Sequence, residues 1–175
     1  MPRPSITWVT TDTHFHHEAM VDSCGRPANF DLLIRRGWKQ CLAKQDVLIH
    51  LGDVIFYQYP MLKTYLDEVP CRKILVMGNH DKKSCGWYIR NGFDFACDSF
   101  TNNGVLFTHK PVEVLPAGVV LNIHGHWHNL PVSDRPDWWS KKTHRLMCIE
   151  DDKYVPVKLD SILAEWKFAN EPRQV

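Results

Sequence analysis

What this chain lacks narrows its class first. It has almost no excess of charge: 21 lysines and arginines stand against 20 acidic residues, a formal net charge of +1. That balance gives no global pull toward nucleic acid or an anionic membrane, although a local field at a cleft remains open. No apolar run approaches the roughly 20 residues that span a bilayer. Met1-Pro2-Arg3-Pro4-Ser5 enters a strand-like segment without the apolar core of a signal peptide. Cys24, Cys41, Cys71, Cys85, Cys97 and Cys148 form no C-x-x-C pair and share no regular spacing. Several lie inside apolar runs, where a reduced thiol behaves as a small hydrophobe. Internal repeats, low-complexity segments and an interdomain linker are also missing. A soluble, cytoplasmic protein with one domain over residues 1–175 is expected, long enough to bury a core without staples.

What is present begins with short apolar, β-branched segments that stop abruptly at polar residues or glycine. Ile6–Thr11 runs into Asp12, Val47–Leu51 into Gly52-Asp53, and Ile74–Met77 into Gly78-Asn79. Val105–Thr108 ends at His109, and Val119–Ile123 ends near Gly125. Continuous apolar runs bounded by turn signals fit strands covered on both faces. Helical rhythm predicts helices over Phe30–Lys44 (despite Gly37), Met61–Val69, Lys82–Asn91 and Ser161–Phe168, the last capped by Asp160. Leu146–Ile149 and Tyr154–Val157 read as a closing pair of strands. Strand and helix alternating, then mostly strands, implies an α/β fold. In such sheets ligands gather beyond the C-terminal strand ends, where the polar residues above fall.

Five motifs sit at those ends: Asp12-Thr13-His14, Gly52-Asp53, Gly78-Asn79-His80-Asp81, Thr108-His109 and Gly125-His126-Trp127-His128. They supply carboxylate, amide and imidazole groups, which hold divalent transition metals through oxygen and nitrogen. Motifs spread this widely point to ligands assembled by a fold. Taken singly, Asp12, Asp53 or Asn79 equally fits a turn former or a helix cap. In this order, D-x-H, G-D, G-N-H-D, H and G-H-x-H resemble the calcineurin-like metallophosphoesterase superfamily. Asp12-Thr13-His14-Phe15-His16-His17 also resembles the D-T-H-F-G-H start of its small bacterial and phage members, with His16 standing where they have glycine.

The resemblance implies two β-sheets packed together and flanked by helices, a four-layer αββα sandwich. It implies one metal on Asp12, His14, Asp53 and His128, and a second on Asp53, Asn79, His109 and His126, with Asp53 bridging. His80 corresponds to a general acid or transition-state stabiliser, and Asp81 to the residue that orients it. Two divalent ions are the implied cofactors; manganese is favoured, and iron, zinc, cobalt or nickel also suit these ligands. The charge arithmetic supports the assignment. Two such ions bring four positive charges and the two carboxylates return two negative ones, so the centre stays attractive to an anionic ester. Water between ions ~3.5–4 Å apart is activated for in-line attack on phosphorus. A histidine titrating near neutrality suits protonation of the leaving oxygen.

The other histidines divide. His50, His124 and His144 fit buried, hydrogen-bonded roles. His17 either touches substrate phosphate or is structural, and Lys110 either reaches a phosphate oxygen or is solvated. After Gly52-Asp53 the chain reads Val54-Ile55-Phe56-Tyr57-Gln58, without the D-R-G of the serine/threonine protein phosphatases. The missing arginine removes an expected phosphate clamp. The expected activity is phosphodiester hydrolysis on nucleotides, other small diesters or single-stranded nucleic acid. A phosphomonoesterase and a non-catalytic scaffold are the alternatives. Trp127, Trp138 and Trp139 could stack a base or, equally, cover a sheet edge.

Overall fold

A computed structural model describes residues 3–170. Its frame is two β-sheets. Strands β1 (Thr7–Thr10), β2 (Val47–His50), β3 (Arg72–Val76) and β4 (Phe95–Cys97) run parallel, and β9 (Val157–Lys158) adds antiparallel to β1, giving the order β4-β3-β2-β1-β9. The second sheet has the order β5-β6-β7-β8, formed by Ser99–Asn102, Val105–Thr108, Leu121–His124 and His144–Leu146. There β6, β7 and β8 are parallel and β5 is antiparallel to β6.

Alternation along the strands builds two apolar layers. Trp8, Leu48 and Leu75 point outward to helices α2 (Phe30–Cys41), α3 (Tyr59–Asp67) and α4 (Cys85–Arg90), meeting Ile34, Trp38, Leu62, Leu66 and Tyr88. Val9, Ile49, Leu51 and Val76 point the other way, onto Val105, Phe107, Leu121 and Ile123 of the second sheet. Helix α5 (Leu159–Asn170) contributes Ile162, Leu163 and Trp166 to that inter-sheet layer. The architecture is therefore the expected α/β arrangement of packed sheets with helices. Over the outer face of β7 the cover comes from loops. The Trp139 indole donates to His124 (2.8 Å), and the Val112 carbonyl lies 2.8 Å from the His144 ring.

Several predicted boundaries move, for local reasons. Helix α2 stops at Cys41, because buried Asp46 accepts the Ala43 and Ile6 N–H groups and pulls the chain into β2. Gly37 belongs in that helix, since a Cβ there would come within 2.6 Å of the Tyr154 carbonyl oxygen. The two closing segments do not pair: β8 joins the second sheet and β9 the first. Between them Lys153 and Tyr154 take left-handed backbone (φ 55° and 62°), turning the chain from one sheet to the other. Asp160 lies inside the first turn of α5, where it faces the helix dipole favourably instead of capping it. Short α1 (Ala19–Cys24) and the edge strands β4 and β5, six, three and four residues long, are too brief for a periodic pattern to announce them.

Candidate metal centre

All five motifs leave the C-terminal ends of parallel strands: Asp12 and His14 after β1, Asp53 after β2, Asn79 and His80 after β3, His109 after β6, His126 and His128 after β7. Because the strands that carry them run parallel within each sheet, these ends gather at one rim between the sheets. The loops there are tightly compressed. A Cβ on Gly78 would overlap the Asp53 carboxylate and backbone, and one on Gly125 would overlap Thr11 and Asp12, so both positions require glycine. Asp12, His14, Asp53, His126 and His128 all adopt left-handed backbone, with φ from 46° to 71°. Non-glycine residues held there store strain, which concentrates where function fixes a side chain's direction. His16 also has φ 64°, a conformation that glycine takes freely and that a histidine adopts at a cost.

Two groups of ligand-type atoms form. In the first, His14 Nε2 and His128 Nε2 lie 3.9 and 3.8 Å from Asp12 Oδ1. In the second, His109 Nε2 lies 2.9 Å from Asn79 Oδ1, 3.1 Å from His126 Nδ1 and 3.3 Å from Asp53 Oδ2. The same Asp53 Oδ2 is 3.5 Å from His14 Nε2, so one carboxylate oxygen faces both groups. His109 donates its Nδ1–H to the Leu51 carbonyl (2.7 Å), which turns Nε2 toward three acceptors. Acceptors crowded in this way require positive charge between them. Asp12 Oδ1 and His14 Nε2, both buried, have no hydrogen-bond partner among the described residues. Orphaned lone pairs on two members of the set fit divalent cations at this rim.

The electrostatics agree. Burial pushes His14 down to about 2 and His126 down to about 4, keeping both imidazoles neutral and free to ligate. Burial raises the Asp12 carboxyl, against the pull of His109 and His128. Burial would raise Asp53 as well, but the His109 hydrogen bond and charge outweigh it and leave the group well below the carboxylate range. His128 goes the other way, raised to about 10: burial opposes the charge, while Cys24, Glu150 and Asp12 stabilise it. Without ions, protons supply part of the positive charge that the ligands call for.

Other residues fall as follows. The His80 N–H donates to Asp53 Oδ1 (2.7 Å), and the His80 ring centroid is 5.4 Å from that of His14. His17 Nδ1 is 3.2 Å from His14 Nδ1, and its ring stacks on Phe56 at 3.8 Å between centroids. Lys110 is exposed beside Asn79 and His109 in a cavity of about 500 Å³. Asp81 makes no hydrogen bond to the His80 ring among the described residues. Its carboxylate accepts the N–H groups of Asp53 (2.8 Å), Val54 (3.1 Å) and Gly78 (2.8 Å), clamping the second and third motif loops together. His50 lies 3.0 Å from Thr13 Oγ1 and accepts the Gly52 N–H at 3.1 Å, as a buried, satisfied histidine should.

Sequence reasoning missed Arg26 and Glu150. Glu150 Oε1 lies 3.3 Å from His128 Nδ1 and receives Arg26 at 2.8 Å (Nε) and 2.7 Å (Nη2). Arg26, with a fully buried side chain, also donates to the carbonyls of Asp12 (2.8 Å) and Thr13 (3.0 Å). A carboxylate on the far nitrogen of a ligating imidazole fixes its tautomer and raises its basicity. One signal was available: Met147-Cys148-Ile149 is an apolar run ending in an acid, the pattern that exposed Asp12 and Asp53. Arg26 carries no such signal.

Comparisons with known proteins now bear on this geometry. No curated protein matches the chain significantly in sequence. A protein of unknown function from Aquifex aeolicus, known from its crystal structure, is similar over 92% of this chain and 99% of its own, with a TM-score of 0.73 and 26% identity. The family profile described as calcineurin-like phosphoesterase matches residues 7–166, a span that includes all five motifs and both missed residues. The chain belongs to the calcineurin-like phosphoesterases, a family of metal-dependent hydrolases of phosphate esters.

Proposed function

We propose that the chain is a phosphodiesterase with a two-metal centre, acting on nucleotides or other accessible phosphodiesters. Asp12, His14, Asp53 and His128 would hold one divalent ion; Asp53, Asn79, His109 and His126 would hold the other. Manganese is favoured among the metals that this oxygen and nitrogen set accepts. When bound, such a pair polarises phosphoryl oxygens and lowers the pKa of water. The chain's own residues do the rest. His80, anchored through its backbone to Asp53, stands where it can give a proton to the leaving oxygen. The P–O ester bond breaks, the water oxygen joins phosphorus, and the alcohol departs protonated. His17 and Lys110 would contact the phosphate from opposite sides of the centre.

The observation that favours a diester is the pair of cavities flanking the rim. One, of about 860 Å³, opens past His17 and Phe56; the other, of about 500 Å³, opens past Asn79 and His109. A diester has two arms to place, and a monoester only one. The test is hydrolysis of bis-p-nitrophenyl phosphate and p-nitrophenyl phosphate side by side. Stripped protein is reconstituted with manganese, nickel, cobalt, zinc or magnesium, and Asp53→Asn serves as the blank. The diester is expected to turn over faster. Faster monoester cleavage would replace this reading with a phosphomonoesterase. No turnover of either, despite two bound ions, would favour a scaffold.

A further inference from the structure

The larger cavity is an asymmetric extension of the centre. Its inner end is the His17–Phe56 stack, whose rings are nearly parallel at 16°. His80 lies on the same side: its ring centroid is 5.7 Å from Phe56 and 6.2 Å from His17. A group departing with a proton from His80 therefore leaves toward this cavity. The outer wall carries Tyr57, 78% exposed and set edge-on to Phe56 at 4.2 Å. Its φ of 59° is a costly conformation for an aromatic residue, and it holds the ring out at the mouth. Glu18, Asp22 and Asp31 also line it, the last 3.7 Å from His16, and among the described residues no lysine or arginine does. The opposite cavity differs: Lys110 sits at its edge beside Asp81 and Asp98, and its one ring is His109, a member of the second ligand group, with no phenylalanine, tyrosine or tryptophan.

We infer that this cavity is the leaving-group subsite and selects an aromatic group without negative charge, such as a nucleobase or aryl alcohol. The inference rests on the phosphoesterase reading above. Stacking on exposed rings rewards any planar group. The three carboxylates repel a second anion there, so discrimination comes from charge as well as from shape.

Non-hydrolysable phosphonates separate the two claims. Manganese-loaded protein is titrated calorimetrically with methylphosphonate, benzylphosphonate and 4-carboxybenzylphosphonate. Benzylphosphonate is expected to bind about 10-fold tighter than methylphosphonate, the scale of one aromatic stack. The 4-carboxy compound is expected to lose most of that advantage. Tyr57→Ala should bring the benzyl-to-methyl ratio below about 3. Asp22→Lys, also on the surface, should raise the 4-carboxybenzyl-to-benzyl ratio. Equal affinity for benzyl and methyl compounds would overturn the subsite while leaving the hydrolase reading intact. Equal affinity for the benzyl and 4-carboxybenzyl compounds in the unmodified protein would overturn the charge selection. Failure of methylphosphonate to bind at all would remove the phosphate-ester reading, and the subsite with it.

Discussion

The two halves of the centre are supported by different means. His109, in the second group, is aimed by a main-chain carbonyl, that of Leu51 at 2.7 Å. His128, in the first, is aimed by a side chain remote in sequence, Glu150 at 3.3 Å, itself held by buried Arg26. Main-chain support comes with the fold and survives most substitutions. Side-chain support can be removed one residue at a time. The first half should therefore be the more fragile, though it is the more deeply enclosed: Asp12 and His14 are buried, while Asn79 and His126 are partly open.

The largest expected effect erases the distinction. Asp53 faces both groups, so Asp53→Asn should lower turnover by about 10³-fold or more, roughly 4 kcal/mol, and deplete both metals. Metal analysis showing two ions and near-normal turnover would remove the bridging role. Next, His80→Ala should touch neither half. Turnover should fall about 10²-fold or more, with metal content unchanged; loss of metal would make His80 a ligand.

Glu150→Gln tests the comparison directly. The first group should lose about 10–100-fold in metal affinity, and the second much less. Titration with manganese, followed by paramagnetic resonance, should then resolve two steps. A uniform loss at both positions would show that the halves are not separately supported.

Proton linkage gives a smaller effect in the same direction. His128, raised to about 10 in the metal-free protein, carries a proton at pH 7 that a cation must expel. His14 and His126, held down by burial, carry none there. Affinity at the first group should thus rise about tenfold per pH unit as pH increases through neutrality. Calorimetry in buffers of different ionisation enthalpy counts the protons released, and no release would contradict the charged state of His128.

This contrast also explains what could be read from the chain. Asp12, Asp53 and Asn79 end apolar runs, and their histidine partners sit in short motifs whose order names the family. The left-handed backbone at Asp12 and His128 is invisible in composition, because it is imposed by loops pressed together across two sheets. Arg26 was illegible because its value lies in being 2.8 Å from a carbonyl fourteen residues earlier. The contacts of Asp81 were likewise illegible: its carboxylate takes the N–H groups of two neighbouring loops, which the motif order does not announce. The segments Leu146–Ile149 and Tyr154–Val157 were assigned to each other, yet each meets a strand at one residue only and in different sheets, because nothing in an apolar segment says which sheet will take it.

The last effect falls on stability and not on metal, and concerns another buried carboxylate, at the far end of β1 and β2. Asp46 is as enclosed as Asp12, yet its oxygens are fully engaged: by Arg3 at 2.9 Å, Ile6 N–H at 3.0 Å, Ala43 N–H at 2.9 Å and the Trp8 indole at 3.2 Å. Burial alone would raise its pKa, but these donors hold it down at about 2, below the usual carboxylate range. A depressed carboxyl stabilises the fold above its unfolded pKa, and that contribution fades as pH falls from about 3.8 toward about 2. The difference amounts to about 2 kcal/mol at neutral pH. Asp46→Asn should therefore lower unfolding free energy by about that much near pH 7. The gap between variant and parent should narrow from about pH 3.8 and close near pH 2 in metal-free protein followed by urea denaturation. Metal affinity should stay unchanged, because a carboxylate with every lone pair satisfied has nothing left for a cation. Asp12, whose Oδ1 has no partner, is its opposite, and the pair separates a carboxylate that holds the fold from one that the fold holds ready.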